Sequence, residues 1–461
     1  RRTIAVLAKD SKMKRKKQRV KRSAIMKRHG GYILLVVLLL LQVLCLRWLG
    51  ALAVLNVRVA GVDPVGYYAY LPSLIFDRDL DFADEFQRLQ GRGDVSPKQQ
   101  RTVTGKMPNP FSIGVAVLWL PFFLLGHLVA LARGFASDGF SPPYYVAVYL
   151  ANAVYGFAGI VLIYRLAERM FARDIALFAT ALIWFASGVL YYLFPLWLMS
   201  HMPSMFVVAL FITAWLAWRD KMSLRGYIAL GALGGLAALV RWQNALFLLL
   251  PAVDIVEAVR HQRGERQELR QTVLRTLLLG IVFLAVFFPQ MIVWKVIYGG
   301  FVTVPQGAGF LSWFKPSLFD TLFSSRHGLI SWTPVILLAI IGLFMFPAEK
   351  RRLGHMLAAA FALQLYINSV VVHVGVSFGM RRFINCSAIF ALGLASLLSK
   401  AEARIRLRYL VMIAVVPIVW NVLFVVQYYA GLIPRDDYLT FSQFVSDKFQ
   451  LLVVLLGRIV S

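Results

Sequence analysis

Asp63 is the first residue whose type and place suggest chemistry. It stands in Gly-Val-Asp-Pro-Val-Gly-Tyr-Tyr, about nine residues past a long apolar run at 32–54. A carboxylate at a membrane surface, set among Pro, Gly and two Tyr, lies in reduced dielectric and suits the work of a general base. The same side chain could instead cap a helix starting near Gly66. Tyr67, in the same motif, is a candidate substrate contact. His201 lies in Leu-Met-Ser-His-Met-Pro-Ser, at the end of another apolar run. A neutral imidazole there can orient a hydroxyl, take a proton or ligate a metal; the plainer alternative is a histidine hydrogen-bonded at a helix start.

Three sets of arginines deserve the same scrutiny. Arg326 and His327 stand in Phe-Ser-Ser-Arg-His-Gly-Leu, and Arg381 and Arg382 in Ser-Phe-Gly-Met-Arg-Arg-Phe; Arg241 opens the break Arg-Trp-Gln-Asn. Lys106 lies in Thr-Gly-Lys-Met-Pro-Asn-Pro. Guanidinium groups match phosphate geometrically, and a lysine near a helix start can add charge to such a site. The competing readings are pairing with lipid headgroups or with the acidic loop, and a snorkelling lysine. The acidic stretch Asp77, Asp79, Asp81, Asp84, Glu85 lacks the spaced Gly and terminal bidentate Glu of a calcium loop, and reads as a solvated acidic loop.

The elements that must position these groups follow from composition. The chain has 461 residues, 59% of them hydrophobic and only 15% charged. Soluble domains run near 45–50% apolar and about 25% charged, and a spanning helix needs about 20 apolar residues. The reading is an all-α polytopic membrane protein. The net charge of +27 does not point to nucleic acid: residues 1–28 hold thirteen Lys and Arg against one Asp, and most of the remaining excess lies in a few loops. Those loops are 165–173, 219–225, 260–275, 349–352 and 400–408, and they alternate with loops rich in aromatics, Pro, Gly and His. That is the positive-inside pattern, and it places the chemically interesting residues on the opposite, outer side.

Spans are expected at 32–54, 144–166, 175–194, 203–219, 225–240, 242–257, 274–297, 332–347, 353–372, 383–399 and 408–429, about eleven in all. Segment 112–132 is apolar enough to cross, but a crossing there would put the arginines of 165–173 outside. With Pro121 and Gly126 as breaks, it reads as interfacial or re-entrant helices within an outer loop 55–143. Residues 1–30 form a basic cytoplasmic tail, expected to be disordered; 31–430 form the membrane domain; 431–461 form an amphipathic or interfacial segment. Cys45 and Cys386 indicate neither a disulfide framework nor a cysteine metal site.

In this order on one plan, the motifs resemble the GT-C superfamily of integral-membrane glycosyltransferases, in particular lipid A aminoarabinose transferases and protein O-mannosyltransferases. The likeness rests on Asp63 in Val-Asp-Pro-Val-Gly-Tyr-Tyr, Lys106 and Pro108 before interfacial helices, Ser200-His201, Gly-Leu-Ala-Ala-Leu-Val-Arg at 235–241, and the two arginine motifs. It implies an outward-facing active site on a bacterial inner membrane, a polyprenyl-phosphate sugar donor, a lipid or glycan acceptor, and single-displacement, inverting transfer. Asp63 matches the catalytic carboxylate, and Lys106 a lysine on the donor phosphate. Arg326, Arg381 and Arg382 would share that phosphate, with Arg241, His327 and Tyr67 as further substrate contacts. His201 falls where those families place a second Asp. No cofactor is indicated, though a divalent metal is left open. A transporter or lipid flippase is the alternative class, but such proteins carry charges near the bilayer midplane, and here the polar candidates gather at one surface.

Overall fold

Helices, most of them formed from apolar stretches, account for most of the described residues. The computed structural model describes residues 30–44, 59, 61–90, 100–193, 198–220, 222–262, 265–371 and 375–451. Cys45, His373, most of the basic tail and the last ten residues of the C-terminal piece lie outside the described residues. Two units are distinguished, Arg1–Val54 and Leu55–Ser461. The first contributes one described helix, α1 (Gly30–Leu44).

The second unit begins with α2 (Val62–Pro72), which runs into a π-helical turn at Ser73–Asp77, and α3 (Ala83–Gln90). There follow α4 (Gly114–Arg133), α5 (Pro142–Glu168), α6 (Arg173–Phe185), α7 (Val189–Leu193), α8 (His201–Trp218) and α9 (Leu224–Val240). A 3-10 segment at Trp242–Leu248 leads into α10 (Leu249–His261), and α11 spans Arg266–Tyr298. After α12 (Leu318–Phe323), α13 (Leu329–Trp332), α14 (Val335–Leu343) and α15 (Arg351–Ser369), a second 3-10 segment, Arg381–Cys386, opens α16 (Ser387–Glu402), and α17 is Leu407–Tyr429. Among the described residues the only β pairing is an isolated bridge between Leu311 and Val371.

Seven described helices are long and apolar enough to cross a membrane, with α1 and α9 as shorter apolar helices. Of the ten expected spans beyond the first, six lie on these seven helices and 225–240 is the shorter α9; 175–194 is divided between α6 and α7, 332–347 holds α14, of nine residues, and α15 falls short of a span's apolarity, so eleven spans are not borne out among the described residues. Segment 112–132 differs from expectation in being one unbroken helix, α4, that meets the length and apolarity of a span. Gly126 is no break: a Cβ there would meet the Pro143 carbonyl oxygen at 2.9 Å, so the glycine marks a close approach to α5. Pro121 sits inside the same helix, and the Tyr155 hydroxyl of α5 donates to the nearby Leu118 carbonyl at 2.8 Å.

Small residues also set the α9–α11 contact. Cβ atoms at Gly231 and Gly235, one turn apart, would meet the carbonyl oxygens of Leu279 and Phe283 at 2.5 and 2.7 Å. In a bilayer, where lipid offers no hydrophobic drive to associate helices, such close backbone approach is what van der Waals attraction needs.

The helices are polar at both ends in different ways. Arg169 follows the end of α5, Arg219 follows α8, Arg225 opens α9, Arg260 closes α10, and Arg351 and Arg352 open α15. Arg219 and Arg352 both pair with Asp254, at 3.0 and 3.4 Å, and so tie α8, α10 and α15 together at this end. The opposite ends of α8, α9 and α15 carry His201, Arg241 and Asn368.

Candidate active site

Three breaks in helix order bring the polar groups together with α2. Gly61, at φ +92°, turns the chain into α2 and leaves Asp63 in its first turn. Helix α8 begins at His201. Helix α9 stops at Val240 because Arg241 is extended, at φ −151° and ψ 117°. The 3-10 segment Arg381–Cys386 precedes α16. The amino-terminal ends of α2 and α8, each with unpaired N–H groups and a positive dipole, thus share one region.

These ends enclose a cavity of roughly 290 Å³, lined by Asp63, Tyr67, Phe111, Ser200, His201, Arg241, Gln243, Asn368, Arg381 and Arg382 among others. Arg381 Nη2 lies 2.9 Å from Asp63 Oδ2. The Arg381 side chain is 12% exposed and that of Asp63 27%, so the arginine is held while the carboxylate keeps access to the cavity. Arg381 Nη1 also donates to Met199 Sδ. Arg241 Nη1 donates to His201 Nδ1 at 2.9 Å. Because a guanidinium can only donate, Nδ1 must accept, and the imidazole is neutral with its proton on Nε2. With the Gln243 amide in its hydrogen-bonding orientation, its oxygen accepts from Arg241 at 2.7 and 3.2 Å. The Tyr67 hydroxyl donates to Ser200 Oγ at 2.9 Å, and burial raises its pKa above the usual phenol value.

A buried amide network underlies the cavity. Asn385 Nδ2 donates to Asn244 Oδ1 at 2.8 Å and to Gln364 Oε1 at 3.2 Å. Asn244 in turn donates to Ser204, and Gln364 to the Gln243 carbonyl, each at 2.9 Å. This network joins α8, α15 and both 3-10 segments, so it fixes Arg241 and the 381–382 pair relative to each other. Sequence reasoning gave no site role of their own to Ser200, Gln243, Asn244, Gln364 and Asn385. Their signal was available: amides inside apolar runs are costly unless partnered, and so mark places where helices meet.

The electrostatics follow from the lining. Three guanidinium groups face one carboxylate, an excess of two positive charges, with His201 neutral. Such a cavity favours an anion with several oxygens. It suits a divalent cation poorly, since Asp63 Oδ2 and His201 Nδ1 are both engaged by arginines.

Not every sequence candidate is here. Lys106 does not line the cavity; its charge acts on Asp81, around which the loop folds through Arg101 and the Met107 N–H, at 3.0 and 3.1 Å. Arg326 is also outside, paired with Asp436. His327 is buried beside Trp332, with neither ring nitrogen hydrogen-bonded among the described residues. Burial and Arg326 push its pKa down to about 4. The acidic loop is only partly solvated, because Glu85 is fully buried.

Among the described residues this architecture is that of a helical membrane protein. The structure is similar to that of ArnT from Cupriavidus metallidurans in the apo state, with TM-score 0.51 and 16% identity over 88% of this chain and 66% of that chain. It is similar as well to ArnT bound to undecaprenyl phosphate, with TM-score 0.50 and 15% identity over 87% of this chain and 72% of that one. The chain therefore spans about two thirds of the length of that ArnT chain. No family model and no curated protein matches the sequence.

Proposed function

We propose that this chain is a membrane glycosyltransferase that moves a sugar from a polyprenyl-phosphate donor to an acceptor hydroxyl. The observation that carries the reading is the cavity in which Arg241, Arg381 and Arg382 stand against the single carboxylate of Asp63. The phosphodiester of the donor carries one negative charge and the polyprenyl phosphate that leaves carries two, so the excess favours the leaving group, and bidentate arginine contacts would orient it. The ArnT fold, solved with undecaprenyl phosphate in one case, supports a lipid-phosphate ligand.

In the reaction, the acceptor oxygen attacks the anomeric carbon and its proton passes to Asp63. The bond from that carbon to the phosphate oxygen breaks, and polyprenyl phosphate leaves with the electron pair. One displacement inverts the anomeric configuration. As Asp63 becomes neutral, the Arg381 charge it held is released toward the developing phosphate dianion, so the ion pair couples base and leaving group. His201 holds Arg241 in place through Nδ1. Lys106 and Arg326 have no part in this scheme, because they lie outside the cavity.

The cavity residues sit at helix ends opposite the basic loops. Under the positive-inside rule that supports an outward-facing site on a bacterial inner membrane. The acceptor belongs to the lipid or glycan class. The test is incubation of purified protein in detergent with a panel of labelled polyprenyl-phosphate sugars and membrane lipid extracts. Transfer that disappears in Asp63→Asn is expected; transfer retained in full by that variant would remove Asp63 from the mechanism, and no transfer from any donor would overturn the assignment.

A further inference from the structure

The acidic stretch in the first outer loop divides into two groups in three dimensions. Asp79 Oδ1 accepts from the Asp81 N–H and the Ser73 hydroxyl, and Asp81 accepts from Arg101 and the Met107 N–H. These two are ordinary loop-building carboxylates. The other three converge. Asp77 ends the π-helical turn after α2, Arg78 reverses the chain at φ 58°, and Asp84 and Glu85 lie in the first turn of α3. One carboxylate oxygen from each of Asp77, Asp84 and Glu85 lies within 4.8 Å of the other two.

Glu85 makes this more than a charge cluster. Its side chain has 0% exposure, and neither carboxylate oxygen has a hydrogen-bond partner among the described residues. The charges that act on it are Asp84 and Asp77, both negative. Two arginines of this region are engaged elsewhere, Arg88 with Asp138 and Arg101 with Asp81. A buried carboxyl facing two further carboxylates, with no cation acting on it, lacks the charged partner that buried carboxylates otherwise have.

We infer that Asp77, Asp84 and Glu85 form a binding site for a divalent, oxygen-seeking cation, calcium in the first instance. Calcium–oxygen distances of about 2.3–2.6 Å put ligands on opposite sides of the ion roughly 4.6–5.2 Å apart, which the cluster meets without rearrangement. Asp77 and Asp84 are exposed and leave room for the waters that complete a sphere of six to eight oxygens. Magnesium would ask for a stricter octahedron, and the absence of His or Cys among these ligands makes zinc a poor match. The ion would fasten the turn after α2 to α3, and thereby brace the helix that carries Asp63. The site is separate from the cavity lining and stands whether or not the chain transfers sugar.

The experiment uses the full chain in detergent, stripped with EDTA and titrated with calcium chloride by calorimetry, with magnesium chloride in parallel. Thermal unfolding is followed over the same concentrations. One saturable calcium site is expected, with a melting temperature that climbs with calcium as ligand linkage requires. Asp77→Asn, at an exposed position, should weaken binding at least tenfold with the stripped protein's melting temperature unchanged. Glu85→Gln, which preserves shape and burial, should weaken binding at least as much. Calcium affinity should fall from pH 8 to pH 6, because protons compete for Glu85. No saturable binding at millimolar calcium, or equal affinity in both variants, would overturn the site; tighter binding of magnesium would overturn the choice of ion.

Discussion

Arg381 Nη2 and Asp63 Oδ2 stand 2.9 Å apart although 318 positions separate them in the chain. The pair joins the first turn of α2 to the segment that opens α16. In the proposed transfer, the general base and the nearest phosphate-binding cation are then one electrostatic unit, and removing either affects proton removal and leaving-group stabilisation together.

Asp63→Asn should abolish transfer and leave the fold intact, since an amide oxygen can still accept from Arg381. Arg381→Ala should lower kcat/KM for the donor about 10²–10³-fold, roughly 3–4 kcal/mol of transition-state stabilisation. The double variant should be little worse than Asp63→Asn alone, because groups that act as a unit are not additive. Steady-state kinetics on the three proteins decide the matter; additive losses would separate the two residues functionally.

Lys106 and Arg326 provide the contrast. Both matched the sequence expectation for phosphate contacts, yet Lys106 neighbours Asp81 and Arg326 pairs with Asp436. Lys106→Ala and Arg326→Ala should each change kcat/KM by less than about threefold, the range of a surface charge change. A hundredfold loss in Lys106→Ala would bring that residue back to the donor.

What the sequence disclosed, and what it hid, has a common physical cause. Six span positions were legible because apolar runs near 20 residues are local signals, and Arg241 was legible as a break because Trp242, Gln243 and Asn244 interrupt such a run. Convergence was not. Arg381 and Arg326 looked alike, each an arginine just before an apolar run, and only the tertiary arrangement gives one Asp63 and the other Asp436. Glu85 was read with its acidic neighbours as solvated because nothing in Asp-Phe-Ala-Asp-Glu-Phe shows which carboxylate faces inward. Pro121 and Gly126 were read as breaks, but in α4 the glycine serves helix contact.

The excess positive charge in the cavity yields a further expectation. Arg241 and Arg382 line the same space as Arg381, and like charges there oppose each other. Arg382→Gln should raise the melting temperature of the ligand-free protein while it weakens donor use about 10²-fold. Undecaprenyl phosphate should stabilise the parent protein and stabilise Arg382→Gln less. Scanning fluorimetry with and without the lipid reads both effects, and an equal lipid-induced shift in the two proteins would exclude Arg382 from phosphate binding.

His201 should act through Arg241. Its Nδ1 accepts from Arg241 at 2.9 Å, so His201→Ala leaves that guanidinium without one of its anchors. The expected result is a donor KM raised about tenfold with a smaller change in kcat, which a modest loss of ground-state binding produces. His201→Gln, whose side-chain oxygen can accept in place of Nδ1, should recover much of that loss. If Gln proves no better than Ala, the imidazole has a role beyond positioning Arg241.

Glu85 makes the stability of the metal-stripped protein depend on pH. Burial, with Asp84 and Asp77 nearby, pushes its pKa up to about 9 from an ordinary 4.5. Between those values the folded chain binds a proton that the unfolded chain has released, so stability falls as pH climbs from about 4.5 toward 9. At pH 5 the carboxyl is protonated in the folded state and about a quarter so in the unfolded state, and the penalty is small; at pH 8 folding must take up a proton from dilute solution. Glu85→Gln cannot ionise and removes that slope. In EDTA, the parent protein should therefore lose more melting temperature between pH 5 and pH 8 than Glu85→Gln does. Saturating calcium should reverse the order at pH 8, because the ion favours the ionised carboxylate that the glutamine lacks. Parallel pH profiles for the two proteins in EDTA would show that Glu85 does not hold its proton in the folded state.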